Sequence, residues 1–167
     1  MNLFLMRHGI AVERGTAGYD LDADRPLTPK GERRLERIAD AMEAMDLSFD
    51  LILSSPYVRA QQTAEIISRA LGLKKKLEFS GDLAPGEEAR ALLVSLNKRD
   101  PRPDNVLLVG HEPYLSELIS TLTCGDVRML IDFKKGGLCK LETETLRHGR
   151  CATLAWLLTP RQMSLMG

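Results

Sequence analysis

The sequence predicts an α/β protein: a three-layer sandwich with a central, mainly parallel sheet and helices on both faces. Strand-length apolar runs alternate with helix-length segments of 3.6-residue periodicity through the first two thirds of the chain, the pattern of parallel strands joined by crossover helices. The clearest runs are continuously apolar rather than alternating, as expected of strands covered on both faces. Three of them end beside Arg7-His8, Arg59 and His111, and ligands of open α/β sheets bind at the carboxyl ends of strands.

Leu3-Phe4-Leu5-Met6 is the first strand, and it runs directly into Arg7-His8-Gly9, with Gly9 read as a turn residue. A polar loop follows from Ile10 to Pro26. Its Asp20, Asp22 and Asp24 lack the glycine and closing glutamate of a calcium loop. Thr28-Pro29 reads as an N-cap with proline at the first helical position, and Leu35, Ile38, Met42 and Met45 form the inner stripe of the helix after it.

Phe49 to Ser54 is the second strand. Ser55-Pro56 repeats the capping signal, which starts a helix near Tyr57 with Arg59 in its first turn and Gly72 at its end. A short strand covers Leu77 to Phe79, a loop covers Ser80 to Gly86, and a helix covers about Glu87 to Asn97. Val106 to Val109 is the next strand, and it ends at Gly110-His111-Glu112-Pro113, where Glu112 reads as an N-cap. Leu115, Leu118, Ile119 and Leu122 mark the helix after it, and Gly137 to Glu142 and Cys151 to Leu158 read as a late strand pair that adds an antiparallel edge.

A length of 167 residues suits one domain, expected over residues 1–167. Twenty-three basic residues balance 23 acidic ones, so bulk charge recruits neither nucleic acid nor an anionic membrane. The N-terminal apolar run is too short for a signal peptide and is broken by Arg7. Cys124, Cys139 and Cys151 are odd in number and form no C-x-x-C pair, so buried thiols in a reducing, cytoplasmic setting are expected.

Arginine offers planar, permanently charged donors that fit phosphate oxygens, which makes Arg7 and Arg59 candidates for a phosphate clamp and Arg25 a further one. A histidine among arginines resists protonation and keeps a free lone pair, as a nucleophile requires. His8 fits that role, with a backbone carbonyl at Gly9 available to fix its tautomer, and His111 is the second imidazole.

Leu5-Met6-Arg7-His8-Gly9, the stretch Ser54 to Thr63, and Val109-Gly110-His111-Glu112-Pro113 resemble, in order, the motifs of the histidine phosphatase superfamily, with its phosphoglycerate-mutase-like fold. Arg25 to Gly31 matches the segment after the first loop of that family, and the short length most resembles its SixA-like phosphohistidine phosphatase branch. The resemblance implies that His8 becomes a phosphohistidine, that Arg7 and Arg59 bind the phosphoryl group and that His111 completes the pocket. No metal or other cofactor is implied. The implied partner is a histidine-phosphorylated protein, with inorganic phosphate as product.

Larger members carry an acidic proton donor where this chain has Leu83-Ala84-Pro85-Gly86; Glu87 and Glu88 lie just beyond as possible acids. An alkoxide leaving group needs a proton in the transition state, whereas a phosphorylated imidazole accepts one from solvent on its other nitrogen. A missing acid therefore favours a P–N substrate. Two alternatives stand beside this reading: a small-molecule phosphomonoesterase of the same superfamily, and a non-catalytic module that binds phosphoproteins.

Overall fold

The computed structural model describes residues 1–166. Six strands form one sheet: β1 (Asn2–Arg7), β2 (Leu51–Ser54), β3 (Leu77–Phe79), β4 (Asn105–Gly110), β5 (Leu138–Glu142) and β6 (Thr153–Leu158). Their order across the sheet is β3-β2-β4-β1-β5-β6. The first four in that order are parallel, and β5 and β6 are antiparallel additions beyond β1. The late pair thus supplies the expected antiparallel edge.

Five helices cover the two faces: α1 (Pro29–Ala44), α2 (Val58–Ala70), α3 (Ala89–Asn97), α4 (Tyr114–Cys124) and α5 (Pro160–Met163). Alternation of side chains along each buried strand explains the two layers of core. Leu3, Leu5, Leu53, Val106 and Leu108 pack with Leu92, Leu96, Leu115 and Leu118 of α3 and α4. Phe4, Met6, Ile52, Leu107 and Val109 face the other way, onto Leu35, Ile38, Ala64 and Ile67 of α1 and α2 and Met163 of α5. Both faces are apolar, so the strands read as unbroken apolar runs.

Two helix starts differ from the sequence reading, and one short helix is absent from it. Ser55 does not cap α2, whose preceding residue is Tyr57; the Ser55 hydroxyl meets His111 instead. Helix α3 begins at Ala89, and Glu88 makes no side-chain cap. Helix α5 carries a capping box, Thr159 with Gln162, but at four residues it is too short to show periodicity. The Thr28 cap of α1 is present, its hydroxyl accepting from the Gly31 N–H at 3.0 Å.

Glycine at position 31 has a steric reason. A Cβ there would sit 2.2 Å from the Ile10 carbonyl oxygen, which already accepts from the Thr28 N–H at 2.8 Å. In an ordinary helix interior alanine is preferred over glycine by about 1 kcal/mol. Here Gly31→Ala is expected to destabilise the protein by about 1–3 kcal/mol through backbone overcrowding. A urea midpoint equal to or above wild type would contradict this.

The carboxyl ends of β2, β4 and β1 lie side by side, with Arg7 in register with Gly110 and Ser54 with Val109. Each following residue, Ser55, His111 and His8, is buried. That edge is where the site is built.

Candidate functional site

The backbone of His8 is held from several directions. Its N–H donates to the Gly110 carbonyl at 3.0 Å, and its carbonyl accepts from the Gly136 N–H at 3.1 Å. The next N–H, at Gly9, donates to the Thr63 hydroxyl of α2 at 3.0 Å. Gly9 is not in a left-handed conformation. A Cβ there would meet Leu35 Cδ1 at 2.7 Å, so close packing on α1, rather than a turn, is what requires glycine.

The imidazole of His8 has one possible tautomer in this setting. Nδ1 lies 2.7 Å from the Gly9 carbonyl, which only accepts. Nε2 lies 3.2 Å from Nε of Arg59, which only donates. The proton therefore sits on Nδ1, and the Nε2 lone pair faces the guanidinium. Burial, followed by the neighbouring His111 and then Arg59 and Arg7, pushes the pKa of His8 down to about 2, against the lesser raising effect of the Gly9 bond. The ring is neutral at any ordinary pH.

Arg59 is 3% exposed and fully committed. Its Nη1 donates to the Asp22 carbonyl at 2.6 Å and its Nη2 to Asp22 Oδ2 at 2.9 Å. Oδ1 of the same carboxylate accepts from Arg25, at Nε (3.0 Å) and Nη2 (2.7 Å), and from Arg14 Nε at 2.9 Å. Burial works to raise the Asp22 pKa, but the hydrogen bonds from Arg25 and Arg59 outweigh it and hold the carboxyl at about 2. Arg25 also donates to the Val12 carbonyl at 2.6 Å. Asp22 thus fixes the orientation of the buried Arg59 and the half-buried Arg25, and also meets the exposed Arg14.

His111 stands with its ring centroid 5.1 Å from that of His8. Its Nε2 is 2.8 Å from the Ser55 hydroxyl, and that hydroxyl also accepts from the Tyr57 N–H at 3.3 Å. Nδ1 of His111 is a buried atom that has no protein partner among the described residues. Burial first, then Arg59, pushes the pKa of His111 down to about 3. Arg7 donates from Nη1 to the Phe133 carbonyl at 2.7 Å, while its buried Nε is likewise unpartnered. Buried donors without acceptors are uncommon and call for an explanation. The Arg7 Nε–H, a donor on the cleft beside the imidazole of His111, suits an oxyanion.

The cleft has a volume of about 340 Å³, and Arg7, His8, Arg25, Arg59, His111 and Lys135 all line it. Four of the wall residues are arginines (Arg7, Arg14, Arg25 and Arg59), a cationic lining of the kind that suits an anion. Two glutamates also reach the wall, Glu13 and Glu112. Glu87 and Glu88 do not; both are exposed, and the loop after β3 contributes only Pro85. Burial raises the Glu112 pKa, and its carboxylate accepts from both the backbone N–H (3.1 Å) and the hydroxyl of Ser116. It therefore serves the first turn of α4, close to the N-cap role expected for it.

A model of the histidine phosphatase superfamily (branch 1) matches residues 3–83. An uncharacterized protein of Picosynechococcus is 40% identical over 149 residues, 88% of each chain. A phosphohistidine phosphatase SixA homolog of Haemophilus influenzae is 32% identical over 130 residues, which cover 73% of this chain and 77% of that one. The chain belongs to the histidine phosphatase superfamily. Within it the chain groups with the SixA-like branch: a solved protein histidine phosphatase SixA, complexed with tungstate, superposes with a TM-score of 0.82 at 25% identity, over 96% of this chain and 98% of that one. This histidine phosphatase is therefore a hydrolase acting on phosphoryl groups. Among its described residues no helix is long and apolar enough to cross a membrane.

The depressed histidine pKa values give this phosphatase a testable pH behaviour. An ordinary histidine titrates near 6.5, whereas His8 and His111 do so at about 2 and about 3. Their 15N imidazole shifts are expected to stay at neutral values down to about pH 5. A midpoint between 6 and 7 for either would overturn the assignment. The same shifts act on stability. Between the folded and unfolded pKa values the unfolded chain binds more protons, so stability falls as the pH drops below about 6.5. Asp22, also depressed, loses its contribution at still lower pH, as the carboxyl is protonated.

Proposed function

We propose that this phosphatase removes the phosphoryl group from phosphohistidine in a protein, without a metal, through a phosphorylated His8. The observation that carries the reading is the neutral, tautomer-fixed imidazole of His8, its Nε2 lone pair directed at Arg59. In the first step Nε2 attacks phosphorus in line, the N–P bond to His8 forms and the P–N bond of the substrate breaks. The leaving imidazole takes a proton from solvent on its way out. Arg7, Arg59 and His111, with Arg25 behind them, hold the equatorial oxygens, where phosphoryl transfer needs positive charge. Water then attacks phospho-His8, the N–P bond breaks, and inorganic phosphate leaves with His8 neutral again.

The choice of a P–N substrate is supported by the acids. Glu87 and Glu88 stand outside the cleft wall, and both oxygens of Glu112 are engaged by Ser116. The relatives support it too: the Haemophilus influenzae protein is a phosphohistidine phosphatase SixA homolog, and the solved relative holds tungstate, a tetrahedral oxyanion like phosphate.

One observation favours the small phosphoester as a second reading. Glu112 lines the cleft and its raised pKa lets it keep a proton to higher pH, so release from Ser116 would make it an acid for an alkoxide. Rapid-quench trapping separates the readings, using a phosphohistidine protein and an aromatic phosphoester in parallel, on wild type and Glu112→Gln. Faster labelling from phosphohistidine, unaffected by Glu112→Gln, supports the P–N reading. Faster labelling from the ester, slowed by Glu112→Gln, moves the substrate to esters. No label from either donor, with tight phosphoprotein binding, would leave a binding module.

A further inference from the structure

A second groove, of about 550 Å³, opens beside the catalytic cleft and shares Arg7 and Lys135 with it. Its apolar part comes from Ile10, on the exit from β1, and Pro160, at the start of α5. Around them stand Arg34 of α1, Lys134 and Lys135 of the segment before β5, and Arg161 of α5. Among the described residues no acid lines this groove, although the chain as a whole is neutral. Lys134 is paired with Asp132, both exposed, while Arg34, Lys135 and Arg161 have no ion-pair partner among the described residues. Lys135 has its pKa lowered, by burial first and then by Arg7 and Arg25, which reflects how closely cations are gathered along the shared wall.

Phosphoryl transfer at His8 uses none of Arg34, Lys134 or Arg161. We infer that the groove docks an acidic segment of the protein substrate, next to the phosphorylated histidine seated at His8. The inference rests on the phosphohistidine reading for the residue in the cleft. Charge complementarity selects the occupant: a one-signed cationic rim around an apolar floor binds a chain that carries carboxylates and an apolar side chain between them. Continuity through Arg7 and Lys135 fixes its place, since a chain leaving the cleft over these residues enters the groove directly. Arg34 and Arg161 line the groove and not the cleft, so this surface would separate protein substrates from small ones that occupy the cleft alone.

Two synthetic peptides of equal length test this, each with one histidine, one flanked by glutamates and one by glutamines. Fluorescence anisotropy reads binding of the unphosphorylated forms, and phosphate release reads turnover after phosphorylation with phosphoramidate. Wild type is compared with Arg34→Glu/Arg161→Glu, and equal turnover of an aromatic phosphoester by both confirms an intact catalytic site. Wild type is expected to prefer the glutamate peptide by about tenfold in Kd and kcat/KM, a preference lost in the variant and weakened by salt. Equal affinity for the two peptides, or the same preference in the variant, overturns the docking groove whatever the turnover. Turnover of the ester with none of either phosphopeptide overturns the phosphohistidine reading, and the inference with it, even if anisotropy detects the preference.

Discussion

Replacing His8 by alanine is expected to abolish phosphoenzyme formation and to lower turnover by about 10³-fold or more. In the proposed mechanism the lone pair at Nε2 forms the new bond to phosphorus, and no other imidazole nearby is equivalent to it. His111, 5.1 Å away between centroids, has its Nε2 bonded to Ser55. His8 is 6% exposed, so loss of fold must be separated from loss of chemistry. His8→Asn keeps most of the volume and the hydrogen bond to the Gly9 carbonyl, but its amide nitrogen has no nucleophilic lone pair. Both variants should melt close to wild type in the presence of phosphate. Neither should trap the acid-labile, alkali-stable label of a phosphohistidine. Retention of full activity by either would remove His8 from the mechanism.

Much of this arrangement is legible in the sequence, for identifiable reasons. The strands are covered on both faces, so Leu3 to Met6, Leu51 to Leu53 and Val106 to Val109 are unbroken apolar runs. The longer helices α1, α2 and α4 have clear inner stripes. A parallel sheet collects its carboxyl ends at one edge, so the residues just past each strand are enough to assemble Arg7, His8, Arg59 and His111. The hidden part depends on loops returning from a distance. Asp22 is a loop aspartate among three, and only the closure of that loop over α2 brings it, with Arg14 and Arg25 of the same loop, to Arg59. The spacing of Asp22 and Arg25 is the one local signal, an i,i+3 pair. Ser55 reads as a helix cap because serine before proline commonly is one; its hydroxyl instead orients His111. Lys135 belongs to a loop with no pattern of its own and reaches the cleft only because β5 pairs beside β1. Side chains that serve other side chains leave little trace in periodicity.

Arg59 shows why that hidden layer matters to activity. With both Nη atoms tied to Asp22, its Nε–H is left facing His8 Nε2, 3.2 Å away. In the proposed mechanism a phosphoryl group arriving between the two takes over this N–H, so the bond to His8 Nε2 becomes a bond to the transferring oxygens. Arg59→Ala removes a preorganised donor at the developing charge and is expected to lower kcat/KM by about 10²- to 10³-fold. Lysine carries one point charge and cannot bridge Asp22 and the phosphoryl group at once, so Arg59→Lys is expected to recover little, with a loss of about 10²-fold. Loss of the neutral state of His8 is not the cause in either case. Burial is the largest influence on that imidazole and is retained, with Arg59 a smaller contributor behind His111. The 15N shifts of His8 in Arg59→Ala should therefore still report a neutral ring at pH 7, while phosphoenzyme formation in rapid quench slows. Phosphoenzyme formation within about threefold of wild type would mean that Arg59 holds the loop through Asp22 and contributes nothing to the transferring group.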